Sequence, residues 1–231
     1  MSLKDLALRA KMSPSRAHYY LTSFVRVGLV AQTGPGANYD LGPEALRLGL
    51  AALAHLDILN IAREAMFEIR DATGEAVFLS VWGNRGPTIV HRLEGFHLSP
   101  LSIRVGSVLD PLSATGRAIL STLSDTLVRE MIAPILAEAK PDDLGYGTAI
   151  DDAIALVAEA RRDGFARGHR TVAAESGFVG LAAPIVTFEN SVQAALTING
   201  DAKTLDMKRS GRNVTALLAA TKRIATLTGA P

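Results

Sequence analysis

The chain has 231 residues, 48% hydrophobic and 20% charged, with a formal net charge of +1. That length allows one large or two modest domains with cores of their own, and no apolar run is long enough to span a membrane. A chain without cysteine forms no disulfide, thiolate metal site or cysteine nucleophile, and with no basic-then-apolar leader the expected location is the cytoplasm.

Leu3, Leu6, Ala7 and Ala10 recur at helical spacing and predict a first helix. Lys11-Met12 breaks the pattern and Ser13-Pro14 restarts it, Ser as N-cap and Pro at the first helical position. The second helix is expected from Pro14 to about Val27, with Ala17, Leu21, Phe24 and Val25 on its buried stripe. Its other face carries Ser15, Arg16, His18, Tyr19, Thr22 and Arg26, and Gly28 ends it. Two strand-like runs, Leu29 to Gln32 and Asn38 to Leu41, flank the turn-forming stretch Thr33 to Ala37. Two helices around a tight turn, followed by a hairpin, make the layout of a winged helix-turn-helix. An ordinary helix pair and hairpin in a mixed domain is the alternative. Residues 1–42 hold five basic side chains against two acidic ones, although the whole chain nets only +1. Such asymmetry is expected when one part alone faces phosphates. The candidate contacts to double-stranded operator DNA are Ser13, Ser15, Arg16, His18 and Tyr19 at base edges or phosphates, with Arg26 on the backbone.

Pro43 opens another helix, running to about His55, whose Leu46, Leu48, Leu50 and Leu53 are apolar on more than one side. It packs inside its own domain or against a second copy. A helix from Leu59 to Asp71, stopped by Gly74, precedes strands over 76–82, 88–93 and 98–105. Helices are expected over 114–122, 125–138 and 150–162, then strands over 166–173, 179–188 and 192–199, the last two joined by a Glu189-Asn190 turn. A final helix should run from Ala202 to about Thr228. Antiparallel hairpins with helices clustered on the sheet define an α+β fold.

The loop from Gly106 feeds a helix whose first turn contains Ser113, Ala114, Thr115 and Gly116. Free N–H groups and the helix dipole there favour a small anion. Ser113 acting only as N-cap, with Gly116 a packing position, is the alternative. Thr197 and Asn199, two residues apart, share one face of a strand. They can hydrogen-bond a polar ligand or satisfy each other.

Several of these segments resemble one family in its order. They are Leu3-Lys4-Asp5-Leu6-Ala7, Met12 to Ala17, Gly28-Leu29-Val30, Tyr39 to Gly42, Asp163-Gly164-Phe165-Ala166, Gly180 to Ile185 and Ala195 to Gly200. Together they make the chain similar to the IclR-type bacterial transcriptional regulators over nearly its whole length. The resemblance implies a winged helix-turn-helix DNA-binding domain in residues 1–42, a linker helix in 43–57 that helps dimerise, and an effector-binding domain in 58–231. That last domain would have a GAF-like antiparallel sheet with flanking helices. It also implies a ligand-responsive regulator, a homo-dimer or tetramer, with a small organic effector, usually a carboxylate. Ala114, Thr115, Gly180, Thr197 and Asn199 match the family's pocket positions. The family's helix before the first pair has no counterpart here, so the DNA-binding module is expected to be incomplete. Gly180 stands where relatives carry a larger side chain, often cysteine. His169 or Arg170, in a stretch longer than in relatives, would face an acidic effector. A small-molecule sensor with a vestigial DNA-binding part is the second reading.

An enzyme is not expected. His18, His55, His91, His97 and His169 are scattered without metal-ligand or catalytic spacing, and no nucleophile elbow or phosphate loop occurs. Asp142-Asp143 and Asp151-Asp152 read as helix-flanking charges. No catalytic residue, metal site, cofactor or membrane partner is assigned.

Overall fold

The computed structural model describes residues 1–32, 34, 38–54, 58–96, 103–138, 149–168, 177–187 and 193–229. His55, His97, His169, Arg170, Asp142-Asp143, the Glu189-Asn190 turn and most of the Thr33–Ala37 turn lie outside the described residues. Two compact units emerge, Met1–Asp57 and Ile58–Pro231.

The first unit contains α1 (Leu3–Arg9), α2 (Pro14–Arg26), β1 (Val30–Gln32), β2 (Tyr39–Leu41) and α3 (Pro43–Ala54). Ser2 caps α1: its hydroxyl accepts from the Asp5 N–H and donates to the Asp5 carboxylate at 2.7 Å. That second bond holds the Asp5 carboxyl below its ordinary range. Lys11 turns the chain with a left-handed φ of 52°, and Ser13 and Pro14 then open α2. The hairpin pairs Val30 with Leu41 and Gln32 with Tyr39. Met1 exchanges backbone hydrogen bonds with Tyr39, extending that edge. The buried line of α2 is Ala17 and Leu21, one turn apart. Phe24 and Val25, expected on that stripe, are 43% and 38% exposed. The elements packed on α2 are α1 and β1, and Phe24 and Val25 in its last turn stay exposed beside them.

The second unit runs α4 (Ile58–Thr73), β3 (Ala76–Trp82), β4 (Pro87–Leu93), α5 (Ala114–Leu120), α6 (Asp125–Glu138), α7 (Ile150–Asp163), β5 (Ala166–Arg167), β6 (Phe178–Ile185), β7 (Ala194–Asp201) and α8 (Arg212–Leu227). Its sheet has the order β4-β3-β7-β6-β5, and every neighbouring pair is antiparallel. The long β6 and β7 pair antiparallel along their whole length, in keeping with the two consecutive strands expected there.

Two expectations need correction, and a third lies mostly outside the described residues. Residues 103–105 of the anticipated strand 98–105 are not extended pairing partners; the edge of β4 instead meets a single bridge between Thr88 and Val108. Gly106, at a left-handed φ of 88°, turns the chain back there, and its N–H donates to the Ile89 carbonyl. Of the strand expected over 166–173, Ala166–Arg167 is strand, the Gly168 N–H still donates to the Gly180 carbonyl, and 169–173 lie outside the described residues. The last helix begins at Arg212, not Ala202. Local side-chain turns win over helix there: Asp201 accepts from the Lys203 N–H at 2.7 Å and Asp206 from the Lys208 N–H at 3.0 Å. Gly211 then supplies the extended cap.

The period of two in each strand sorts the sheet into two faces. One presents the fully buried Val77, Leu79, Leu181, Leu196 and Ile198, and α4 and α8 cover it. Arg212 reaches across to the Thr73 carbonyl, tying those two helices together. The other face presents Ala76, Phe78 and Ser80 on β3, Ala195, Thr197 and Asn199 on β7, and Gly180 and Ala182 on β6. Over it sits α5, where Ala114, Ala118 and Ile119 pack on Ala166, Ala182 and Ala195. These contacts are between small side chains, so the helix approaches the sheet closely. A further apolar cluster of Leu120, Leu123, Val128, Ile132 and Val157 lies among α5, α6 and α7.

Candidate functional site

Most of the sequence-derived effector residues come together where α5 begins above the sheet. Ser113 is the N-cap: its hydroxyl accepts from the Gly116 N–H at 3.2 Å. Asp110 shapes the loop just before it, accepting from the Leu112 N–H at 2.6 Å. The Gly116 position is a packing requirement. A Cβ there would fall well inside contact distance of the Pro111 carbonyl, so only glycine lets the loop fold back on the helix. The proposed anion cradle of Ser113 to Gly116 is therefore partly consumed by its own cap and its own packing, and α5 is only seven residues long.

Thr115 and Thr197 are both buried, and their hydroxyls share a hydrogen bond at 2.8 Å. It spans 82 residues of sequence and fixes the helix start over β7. Gly180 on β6 pairs in direct register with Asn199 on β7. A Cβ at Gly180 would stand 3.4 Å from the Thr197 methyl and 3.8 Å from the Ala114 Cβ. Gly180 thus leaves a methyl-sized gap among Ala114, Thr197 and Asn199. The Asn199 Oδ1 atom is buried and has no hydrogen-bond partner among the described residues. Burying an amide oxygen unpaired costs about 1–3 kcal/mol, and a ligand donor would remove that cost. Thr197→Val would leave the Thr115 hydroxyl unpaired in its place. A loss of about 1–2 kcal/mol in denaturant unfolding is the expected result.

Other groups at this site were not anticipated from the sequence. Arg117, 4% exposed, donates from Nε to the Leu112 carbonyl at 2.9 Å and from Nη2 to the Arg167 carbonyl. It pins both the loop before α5 and β5. Phe78 and Arg92 pair across β3 and β4, with the guanidinium carbon 5.7 Å from the ring centroid. Arg92 Nη1 donates to the Ile103 carbonyl, and Nη2 to the Glu94 carboxylate at 2.8 Å. The buried Nε of Arg92 and Oγ of Ser80, like Asn199 Oδ1, have no partner among the described residues. Only the period-two alternation of β4 hinted that Arg92 faces the same side as Phe78.

In the first unit, the DNA-contact candidates sit on α2. Ser15, Arg16, Tyr19 and Arg26 are exposed, Tyr19 to 73%. Ser13 accepts from the Arg16 N–H at 3.4 Å, so its hydroxyl is used as the cap. His18 Nδ1 lies 3.4 Å from the hydroxyl of Tyr39 on β2. That contact ties the helix to the hairpin, a role the sequence did not assign it. Among the described residues, no cluster of His, Asp or Glu could hold a metal ion, and no helix is long and apolar enough to cross a membrane.

Comparison with known proteins adds independent findings. A family profile described as bacterial transcriptional regulator IclR C-terminal matches residues 50–226. The HTH-type transcriptional regulator KdgR of Escherichia coli is 23% identical over 231 residues, 99% of this chain and 86% of that protein. Pseudomonas aeruginosa HmgR, a crystal structure, is 34% identical with a TM-score of 0.62, covering 100% of this chain and 90% of its own. A putative IclR transcriptional regulator from Silicibacter sp. TM1040 gives a TM-score of 0.81 at 22% identity, again over 100% and 90% of the two chains. An IclR homologue from Microbacterium hydrocarbonoxydans, complexed with 4-hydroxybenzoate, gives 0.70 at 23% identity over 98% and 90%.

Proposed function

The chain belongs to the IclR family of bacterial transcriptional regulators, and on that premise we propose that it reads operator DNA through α2 under the control of a small organic acid. The family's members are regulators and not enzymes, with an effector-binding C-terminal domain. The DNA-binding domain is assigned to residues 1–42, the linker helix to 43–57 and the effector domain to 58–231. The observation that carries the DNA reading is the order helix, tight turn, helix, hairpin with Arg16 and Tyr19 exposed on the second helix. Leu46, Leu48 and Leu50 of α3 are more than half exposed in the single chain. That exposed leucine row supports the dimer or tetramer that a roughly palindromic operator requires, a second copy covering it.

The effector site is the α5 side of the sheet, with Ser113 and Gly116 shaping the helix start and Ala114, Thr115, Gly180, Thr197 and Asn199 facing it. A carboxylate effector is supported by the structural neighbour complexed with 4-hydroxybenzoate. A thermal-shift screen of small organic acids on the purified chain tests this: the expected hit raises the midpoint of the wild type and not of Thr197→Val. A hit that stabilises both equally places its site elsewhere. For DNA, Arg16→Ala is expected to weaken operator binding by about 1–3 kcal/mol where it makes a bidentate base contact. An equal loss on random duplex assigns Arg16 to phosphate instead.

A further inference from the structure

This inference rests on the effector reading above and concerns what the site selects. In register across the sheet, Phe78 pairs with Arg92 on one side and with Thr197 on the other, and Thr197 pairs with Ala182. A single row thus runs Arg92–Phe78–Thr197–Ala182, on the face that α5 covers. One row along, Asn199 pairs with both Ala76 and Gly180. Two strand spacings and a two-residue step put the Arg92 and Asn199 Cα atoms about 12 Å apart.

The two ends are chemically opposite. The Arg92 Nε–H is a buried donor on a permanent cation. Among the described residues its ion-pair partner is Glu94, whose side chain is 68% exposed; an ion pair so exposed is screened by solvent and holds the charge weakly. Asn199 Oδ1 is a buried acceptor. Between them stands the Phe78 ring, packed with Ala76 and Ile89 and against Ile103 and Leu109. We infer that Arg92 is a specificity-determining residue of the effector site, selecting ring-bearing acids. Its Nε–H donates to the acid's anionic group, the ring of the acid lies against Phe78, and Asn199 accepts from a hydroxyl or N–H at the far end. This adds to the start of α5 a charge-recognising role on β4. The Gly116 N–H is already spent on Ser113 at the former, and an unspent cationic donor is available at the latter.

Calorimetric titration of the full chain with 4-hydroxyphenylacetate, phenylacetate and 4-ethylphenol separates the contributions. The wild type is expected to bind 4-hydroxyphenylacetate most tightly. Arg92→Gln should weaken both acids by about tenfold or more, as loss of a charge-assisted hydrogen bond does, and leave the neutral phenol unchanged. Asn199→Leu should lower 4-hydroxyphenylacetate to the affinity of phenylacetate and leave phenylacetate itself unaffected. Arg92→Lys keeps the charge and guards against a folding defect; it should retain more acid affinity than Arg92→Gln. Acid binding unchanged in Arg92→Gln, with a wild-type melting midpoint, overturns the inference while leaving the effector reading intact. Failure of all three probes to bind the wild type also overturns it, and the effector reading is then judged separately by the Thr197→Val comparison in the acid screen.

Discussion

Gly116→Ala is expected to destabilise the effector domain by about 3 kcal/mol or more, since overpacking against fixed backbone is costly. The new methyl group points at the Pro111 carbonyl carbon and oxygen, which are backbone atoms with no flexible end to move aside. Relief requires lifting the loop before α5 away from the helix. That loop is anchored by the Asp110 turn and by the Arg117 bond to the Leu112 carbonyl. Gly180→Ala provides the contrast within the same site. Its methyl would sit at 3.4 and 3.8 Å from its neighbours, ordinary contact distances, so the fold should tolerate it within about 1 kcal/mol. The same methyl fills the gap beside Asn199, so effector affinity should fall in Gly180→Ala while stability does not. Urea unfolding of the two variants, followed by effector titration of Gly180→Ala, separates a packing glycine from a pocket glycine.

Arg117→Met is expected to cost about 3 kcal/mol, because two acceptors lose a charged donor in a buried setting. The aliphatic stem of methionine fills much of the volume but cannot reach the Leu112 and Arg167 carbonyls by hydrogen bonding. Those carbonyls belong to the loop before α5 and to β5, so the substitution loosens the α5 start on two sides. Effector affinity should drop with stability in this variant. A midpoint unchanged in denaturant would show that water or another donor takes over both carbonyls.

Much of this arrangement was legible in the chain. Caps are local chemistry, and Ser13-Pro14, Ser113 and Gly164 each stand at the helix boundary their residue type favours. The shared face of Thr197 and Asn199 follows from strand periodicity alone. What the sequence could not tell was the outcome of competition between partners. Thr197 is satisfied by Thr115, whereas Asn199 Oδ1 is left unpaired, and only the register among three strands decides that. Arg92 escaped notice for the same reason, since its relation to Thr197 passes through Phe78 on a strand between them. The onset of α8 was misplaced because Asp201 and Asp206 bond to backbone N–H groups two residues on, converting ten helix-compatible residues into turns. Phe24 and Val25 looked like core by spacing, but burial depends on what covers a face, and both stay exposed in the first unit.

The central claim couples a DNA-reading helix to an acid-binding sheet in one chain. Fluorescence anisotropy of a labelled duplex from the promoter region of its own gene, titrated with the purified chain at low ionic strength, addresses both halves. Binding that is tighter than on random duplex, and whose midpoint moves when the acid from the thermal-shift screen is added, is the expected result. Equal affinity for the two duplexes, or a midpoint indifferent to a compound that the chain demonstrably binds, would contradict it.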